Sequence, residues 1–248
     1  MSVTDRNQQQ EGPLRILHWN IHSWRDASDS SNLEVIIDLV GETDPHVVSL
    51  VEVDEPWGMS DSLNELANRA GYSWIFAPSF EFGYQAPAGG FGNALLTKLP
   101  ILAVQQWQLL WPSRLYEGTE PSEPRSAVFA KLGFLLAPLW FGSTHLSRSD
   151  SQDRVSSLRR LITLTQKLDG HWLVCGDFNA PVSSWLDNDH SIVVCPEPAQ
   201  PTYPANEPVE SIDYCVASPG LFVEGKVLPV GGSDHLPLLV FARLAGER

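Results

Sequence analysis

Several apolar runs in this sequence end on polar side chains of a few recurring types. Asn20 follows RILHW, Glu52 follows VVSLV, His145 follows LWFGST, Asp177 and Asn179 follow WLVCG, Asp213 follows ESI, and Asp234 with His235 precedes LPLLV. A core does not tolerate such groups without partners. Carboxylates, amides and imidazoles are the parts of an oxygen-ligand Mg²⁺ site beside a general acid/base pair. Each residue taken singly has a plainer reading. An Asn or Asp after a strand is usually a turn former or a helix cap. His145 in a Gly-Ser-Thr-His loop reads as a hydrogen-bonded structural histidine. Glu52, near Asp54 and Glu55, reads as part of a solvated acidic turn. Their joint occurrence, each at the same place relative to its strand, favours convergence on one site.

The elements that must position these groups follow from periodicity. Leu14 to Trp19 reads as a strand, and Leu33, Ile36, Ile37 and Val40 share a helical face with Gly41 as the expected C-cap. Val47 to Val51 is a strand-length apolar run, and Leu63, Leu66, Ala67 and Ala70 predict a helix ending before Gly71. From Tyr72 to Ser143 short β segments predict a largely antiparallel sheet: Trp74, Ala94 to Leu96, Ile101 to Leu110, Ala127 to Leu132 and Leu139 to Phe141. The longest helix is predicted over Ser151 to Leu168, with Val155, Leu158, Ile162, Thr165 and Leu168 inward. Strands follow at Trp172 to Cys175, Ile212 to Ala217, Phe222 to Leu228 and Leu236 to Ala242. Tyr116 to Pro124 and Pro196 to Pro208 read as surface loops. We expect residues 1–12 to be a disordered leader and 13–248 to form one α/β domain, two sheets packed face to face with helices outside.

Composition narrows the class. The chain has 248 residues, 43% apolar and 19% charged, enough for a substantial core. Its net charge of −14 gives no global attraction for nucleic acid or an anionic membrane, so any polyanion site must be local. No apolar run approaches the roughly 20 residues of a spanning helix, and the polar N-terminus lacks a signal peptide's regions. A soluble cytoplasmic protein without stable membrane insertion or an obligate protein partner is expected. Cys175, Cys195 and Cys215 lack close pairing and are expected to be buried thiols in strands.

The segments LRILHWNIHSW, VVSLVEV, GFGNALLTKLPI, PRSAVFAKL, FGSTHLS, VCGDFNAP, PTYPANEPVESIDYCVAS and GSDHLPLLV together resemble the endonuclease/exonuclease/phosphatase, or deoxyribonuclease I-like, superfamily. They occur in the family's order from Leu14 to Val240, and GDFN, IDY and SDHLP jointly are specific. The resemblance implies a four-layer α/β/β/α sandwich of two packed mixed sheets. It implies a divalent-metal-dependent phosphoesterase, hydrolysing a phosphodiester by in-line attack of an activated water. Glu52 would be the principal carboxylate on Mg²⁺ (or Mn²⁺), with Asn20 close to the metal and Asp234 a further ligand. Asp177 would orient or deprotonate water, and Asn179 would hold it or a phosphate oxygen. His235 would contact the phosphate, with Asp213 fixing its tautomer, and His145 would touch the phosphate or leaving oxygen. Asn93 and Arg125 are candidate phosphate contacts, against a turn residue and a strand-edge arginine respectively. One departure stands at Val51, where many members have Gln before the glutamate.

The resemblance fixes the reaction better than the substrate. Phe80 to Gly92 and Tyr116 to Pro124, the loops expected to flank the site, carry Glu81, Glu117, Glu120 and Glu123 with only Arg125 nearby. That charge repels long duplexes. Phe80, Phe82, Tyr84, Phe91, Trp111 and Tyr116 would stack on a base, line an apolar slot or pack in strands. A small phosphodiester, a lipid headgroup or a short single strand fits best. An endonuclease or exonuclease acting on DNA or RNA, and a catalytically silent binding module of the same fold, are the alternatives.

Overall fold

A period of two along the strands builds the layers. In the computed structural model, which describes residues 12–56, 61–81, 88–111, 123–134, 138–181 and 192–246, twelve strands form two six-stranded sheets. The first sheet runs in the order β11-β12-β1-β2-β4-β3. Its strands are β1 (Leu14–Asn20), β2 (Val47–Pro56), β3 (Ser73–Phe80), β4 (Gly89–Thr97), β11 (Leu221–Val227) and β12 (Leu238–Leu244). The second runs β5-β6-β7-β8-β10-β9. It contains β5 (Ile101–Leu110), β6 (Arg125–Leu132), β7 (Leu139–His145), β8 (Trp172–Asp177), β9 (Val193–Cys195) and β10 (Asp213–Ala217). Both are mixed: β1 and β2 pair parallel, as do β7 and β8, and the remaining pairings are antiparallel.

Alternate residues face alternate layers. Leu14 and Ile16 of β1 join Val128, Leu173, Cys175 and Val240 in a core shared by the two sheets. Leu17 and Trp19 point the other way, onto Ile36 and Val40 of α1 (Leu33–Thr43) and Leu63 and Leu66 of α2 (Asp61–Ala70). On the far side Phe129, Val174 and Val216 pack against Leu158 and Leu161 of α3 (Ser151–Thr165). The order of layers is therefore helices, sheet, sheet, helix, the four-layer α/β/β/α sandwich expected. Fully burying one such Leu, Ile, Val or Phe is worth about 1.5–3 kcal/mol, so these three apolar layers supply the main drive to fold.

Several local expectations are corrected. Helix α1 runs through Gly41 to Thr43, and Asp44, in left-handed backbone (φ 41°), is the C-cap, its N–H bonded to Val40 O. Helix α3 ends at Thr165, its start fixed by Asp150, whose carboxylate accepts the Gln152 and Asp153 N–H groups; such a cap contributes about 1 kcal/mol. Leu161, not anticipated, is fully buried. The antiparallel middle of the chain is divided, β3 and β4 going to one sheet and β5 to β7 to the other. The cysteines are not three thiols: Cys175 and Cys215 are disulfide-bonded and Cys195 is free and buried. The register explains this, since β10 places Cys215 directly opposite Cys175 on one side and Cys195 on the other. No described helix is long and apolar enough to cross a membrane. Residues 1–11 of the expected leader lie outside the described residues, as do Phe82, Tyr84, Tyr116, Glu117 and Glu120.

Candidate active site

The same alternation that fills the core between the sheets turns polar at one end of it. Leu14, Ile16 and then Asn20 share a face of β1; Leu139, Phe141 and then His145 share one on β7; Leu173, Cys175 and then Asp177 share one on β8. Parallel pairing sets His145 beside Asp177, and antiparallel pairing sets Asp213 at the start of β10 beside Asp177. Three chemically active side chains thus stand in a row across the second sheet. Across from them Asn20 ends β1, level with Val51 of β2.

Glu52 reaches this row only through a backbone irregularity. On β2, Val47 faces the other sheet and Val48 and Leu50 face the helices, so strict alternation would turn Glu52 toward the helices. The β2–β4 register instead shifts between Val51 and Val53, and Glu52 sits in left-handed backbone at φ 56°. This bulge resets the alternation, returns Val53 to the helix side and directs Glu52 into the cleft. A non-glycine residue in that conformation costs on the order of 1–3 kcal/mol. Opposite the bulge lies Gly92, where a Cβ would collide with the Ala77 carbonyl and the Pro78 backbone. Asn179 is likewise left-handed, at φ 51°.

The side chains meet around Asn20. Its amide nitrogen donates to Glu52 Oε1 (3.0 Å) and Asp177 Oδ2 (3.1 Å) and lies 3.5 Å from His235 Nε2. Its oxygen is turned to the His22 N–H at 3.2 Å, so Asn20 bridges two carboxylates as a donor and does not present an oxygen to them. Asp177 Oδ1 accepts the Asn179 N–H at 2.8 Å. His235 sits between two carboxylates, Nδ1 at 2.9 Å from Asp213 Oδ2 and Nε2 at 3.6 Å from Asp177 Oδ2. Its loop is tied to β1, the Trp19 indole donating to His235 O and Ser233 Oγ to Asn20 O. Asn32, whose side chain donates to Ile21 O, Arg25 O and Gly232 O, holds the two site-bearing loops together.

Electrostatics divide the titratable groups. Burial pushes Asp177 up, the Asp213 charge adds to this, and its carboxyl is raised to about 7. His235 is pushed down by burial, but the Asp213 and Asp177 carboxylates outweigh this and raise it to about 10. Asp213 also meets a burial penalty, overcome by His235 and His18, so it is held well below the usual carboxylate range. Burial, followed by the Arg125 and His235 charges, holds His145 well below the ordinary histidine value. The pattern is an ionised Asp213 beside a charged His235, with a neutral His145 opposite.

His145 is fixed from behind, by Arg125. An arginine N–H can only donate, so Arg125 Nη1, 3.1 Å away, makes His145 Nδ1 an acceptor and leaves Nε2 to face the cleft. That nitrogen is 2.9 Å from Asn179 Nδ2, 3.6 Å from Asp177 Oδ2 and 4.0 Å from Glu52 Oε1. Arg125 is buried, paired with Glu123 at 3.2 Å, and lines the cleft through its hold on His145. Asn93 is 1% exposed, donates to Ser126 O at 3.0 Å and does not line the cleft. Asp234 lines it, half-buried, 4.0 Å from His22 Nδ1.

The cleft encloses about 270 Å³ and its described lining has a single aliphatic residue, Ile212. Oxygen donors predominate among the candidate ligands: Glu52 and Asp177 share one amide, and Asp234 stands at the rim. Hard oxygen ligands and clustered negative charge suit Mg²⁺ or Mn²⁺. Asp177, Asp213 and His235 offer atoms within 4.8 Å of one another. Asp213 is nonetheless the poorer ligand, because its Oδ2 already accepts His235 Nδ1 and the Thr202 hydroxyl (2.5 Å) and lies behind the imidazole.

Sequence reasoning missed Thr202, Tyr203 and Arg148. The stretch expected as a surface loop turns inward at Thr202, which is fully buried, and Tyr203 lays its ring 4.8 Å from His235. Arg148 lies 5.7 Å over that ring. Their only signal was position, Thr202 and Tyr203 within the PTYPANEPVESIDY stretch and Arg148 directly after FGSTHLS, since nothing in their types or spacing marks a site.

Comparison with known proteins agrees with the architecture. The chain overlays the mannosyl-6-phosphatase of Bacteroides thetaiotaomicron VPI-5482 with a TM-score of 0.73 at 18% identity, covering 93% of this chain and 100% of that one. An endonuclease/exonuclease/phosphatase from Beutenbergia cavernae DSM 12333 gives 0.72 at 22% identity, covering 95% and 72%. TDP2 of D. rerio, complexed with a single-strand DNA product, gives 0.69 at 16% identity, covering 93% and 98%. No curated protein matches the sequence itself. Residues 17–235, which include every site residue described above, match the sequence pattern of the Endonuclease/Exonuclease/phosphatase family, and the chain belongs to that family.

Proposed function

We propose that the protein is a metal-dependent phosphoesterase hydrolysing a small or single-stranded phosphodiester. The observation that carries this reading is the convergence of Glu52, Asp177, Asn179, His145 and His235 with Asn20 at one polar cleft. A phosphodiester is an anion that repels hydroxide, so its hydrolysis needs positive charge on its oxygens and a positioned water. Glu52, with Asp234 at the rim, would hold the cation, Mg²⁺ or Mn²⁺, which supplies Lewis-acid polarisation of a phosphoryl oxygen. Asp177, gripped by the Asn20 and Asn179 N–H groups and raised to about 7, accepts the proton of the attacking water. Asn179 orients that water or a phosphate oxygen. His235, kept protonated by Asp213, donates a charge-assisted hydrogen bond to the phosphate. His145 presents Nε2 to the same phosphate or to the leaving oxygen, with Arg125 fixing the ring from behind. Residues 13–248 are read as one catalytic domain.

The substrate class rests on the cleft. Its small polar volume suits a compact ester better than an acyl chain, and the charge of −14 opposes long duplexes. Of the structural likenesses, one is a protein holding single-stranded DNA, in keeping with this reading, and one is a sugar phosphatase, whose monoester chemistry the panel includes. The test is a panel under one metal condition: bis(4-nitrophenyl) phosphate, 4-nitrophenyl phosphate, sugar phosphates, sphingomyelin vesicles, and single-stranded and duplex DNA and RNA. Hydrolysis of a small ester, lost with chelator and with His235→Ala and restored by Mg²⁺ or Mn²⁺, is the expected result. Full activity in chelator refutes the metal role. Strand cleavage that falls steeply with salt selects the nuclease alternative, and binding without turnover selects the silent module.

A further inference from the structure

Behind the cleft lies a polar chain that the mechanism above does not use. On β1 the residue between Ile16 and Asn20 on the inter-sheet face is His18, fully buried in line with the aliphatic Leu14 and Ile16. Its Nε2 faces Asp213 Oδ1 at 3.4 Å. Its Nδ1 lies 3.0 Å from Ser49 Oγ, on the β2 residue paired with it, and Ser49 Oγ donates to Ser143 Oγ of β7 at 2.8 Å. The chain crosses from the first sheet to the second, and all four residues are at most 1% exposed.

The two ends of the 3.4 Å contact explain each other. Asp213 Oδ2 has the His235 imidazole and the Thr202 hydroxyl, whereas Oδ1 has no other polar partner; His18 Nε2 has none either. Buried carboxylate oxygens and ring nitrogens are rarely left alone, since an unpaired one forfeits its hydration. A carboxylate held at one oxygen can rotate about its Cβ–Cγ bond, and the imidazole it carries then tilts with it. We infer that His18 is a positioning residue that donates from both ring nitrogens, Nδ1–H to Ser49 Oγ, whose own proton goes to Ser143, and Nε2–H to Asp213 Oδ1, so that the carboxylate is held at both oxygens and His235 is aimed into the cleft. Ser49 and Ser143 hold the far side of the His18 ring.

Long-range ¹H–¹⁵N correlation of the imidazoles in the wild-type protein tests this without a variant. His18 is expected to carry a proton on Nε2; a spectrum showing Nε2 bare overturns the inference. Three variants add the functional arm, which rests on the phosphoesterase reading. In His18→Gln the amide reaches the place of Nε2, in His18→Asn it reaches only the place of Nδ1, and His18→Leu fills the space without hydrogen bonding. Gln is expected to keep kcat within about threefold, while Asn and Leu lose on the order of tenfold or more in kcat at unchanged KM. The downfield Nδ1–H resonance of His235 should persist only in Gln. A space-filling role predicts the opposite order, with Leu best, and that order overturns the proposal, as does equal kcat across the set. Val48→Ala, on the helix side of β2, supplies a destabilised control with unchanged kcat. If the wild type hydrolyses nothing in the panel, the phosphoesterase reading fails while the resonance arm still decides the role of His18.

Discussion

Replacing Asp213 by Asn removes a charge and almost no volume, and its consequence for His235 can be worked from one distance. Asp213 Oδ2 stands 2.9 Å from His235 Nδ1 in a buried site. At an effective dielectric of about 20, Coulomb's law gives about 6 kcal/mol for unit charges at that separation, or about four pKa units. Burial by itself pushes His235 down, and Asp213 is the larger of the carboxylate influences that raise it to about 10. In Asp213→Asn the imidazole should therefore titrate near or below its ordinary value. The neutral ring then predominates above neutrality, and the phosphate faces an uncharged donor. Titrating the imidazole Cε1–H of His235 by NMR in chelator, from pH 5 to above 10, reads the shift directly. Hydrolysis of bis(4-nitrophenyl) phosphate at pH 8 should fall about 10²- to 10⁴-fold, with partial recovery toward lower pH. A His235 midpoint in the variant within one unit of the wild type would refute the electrostatic argument, because nothing else in the substitution compensates a lost charge at that range.

Further expectations follow from the backbone and the periphery. Glu52→Gly should abolish hydrolysis and weaken Mg²⁺ binding in calorimetry, yet leave the melting temperature equal to or above wild type, since the left-handed backbone costs a non-glycine residue about 1–3 kcal/mol; a marked drop in melting temperature would mean that the carboxylate serves the fold. Gly176→Ala should destabilise by about 1–3 kcal/mol in urea titration, because a Cβ there collides with the Thr144 carbonyl between β7 and β8; unchanged stability would contradict the packing. His46, half-buried, accepts the Arg15 N–H at Nδ1, and burial followed by the Arg15 charge lowers it to about 4. Between about 4 and its ordinary 6.5 the unfolded chain binds a proton that the folded one does not, so this contribution is complete above pH 6.5 and is lost as pH falls toward 4. His46→Gln should flatten that segment of the stability profile by about 1–3 kcal/mol after allowance for solvent screening; parallel profiles for the two proteins would refute it.

The sequence by itself determined which side chains end the strands and which face of each strand they share. Apolar alternation through Leu14, Ile16, Leu139, Phe141, Leu173 and Cys175 is local and legible, and it carries Asn20, His145 and Asp177 onto the inter-sheet face without any knowledge of neighbours. Family motifs over residues 17–235 added the order of the elements. Pairing and register were decided only in three dimensions, because they depend on contacts between residues far apart in the chain. The bulge at Glu52 is invisible in VVSLVEV, yet without it the carboxylate would face the helices. The cross-strand Cys175–Cys215 pair depends on the β8–β10 register. Asn93 and Arg125 both read as phosphate contacts; the tertiary structure ties Asn93 to Ser126, away from the cleft, and leaves Arg125 lining it beside His145. His18 falls within the predicted Leu14 to Trp19 strand and Thr202 within the predicted Pro196 to Pro208 loop; only the packing of one sheet on the other brings both to the same carboxylate, Asp213.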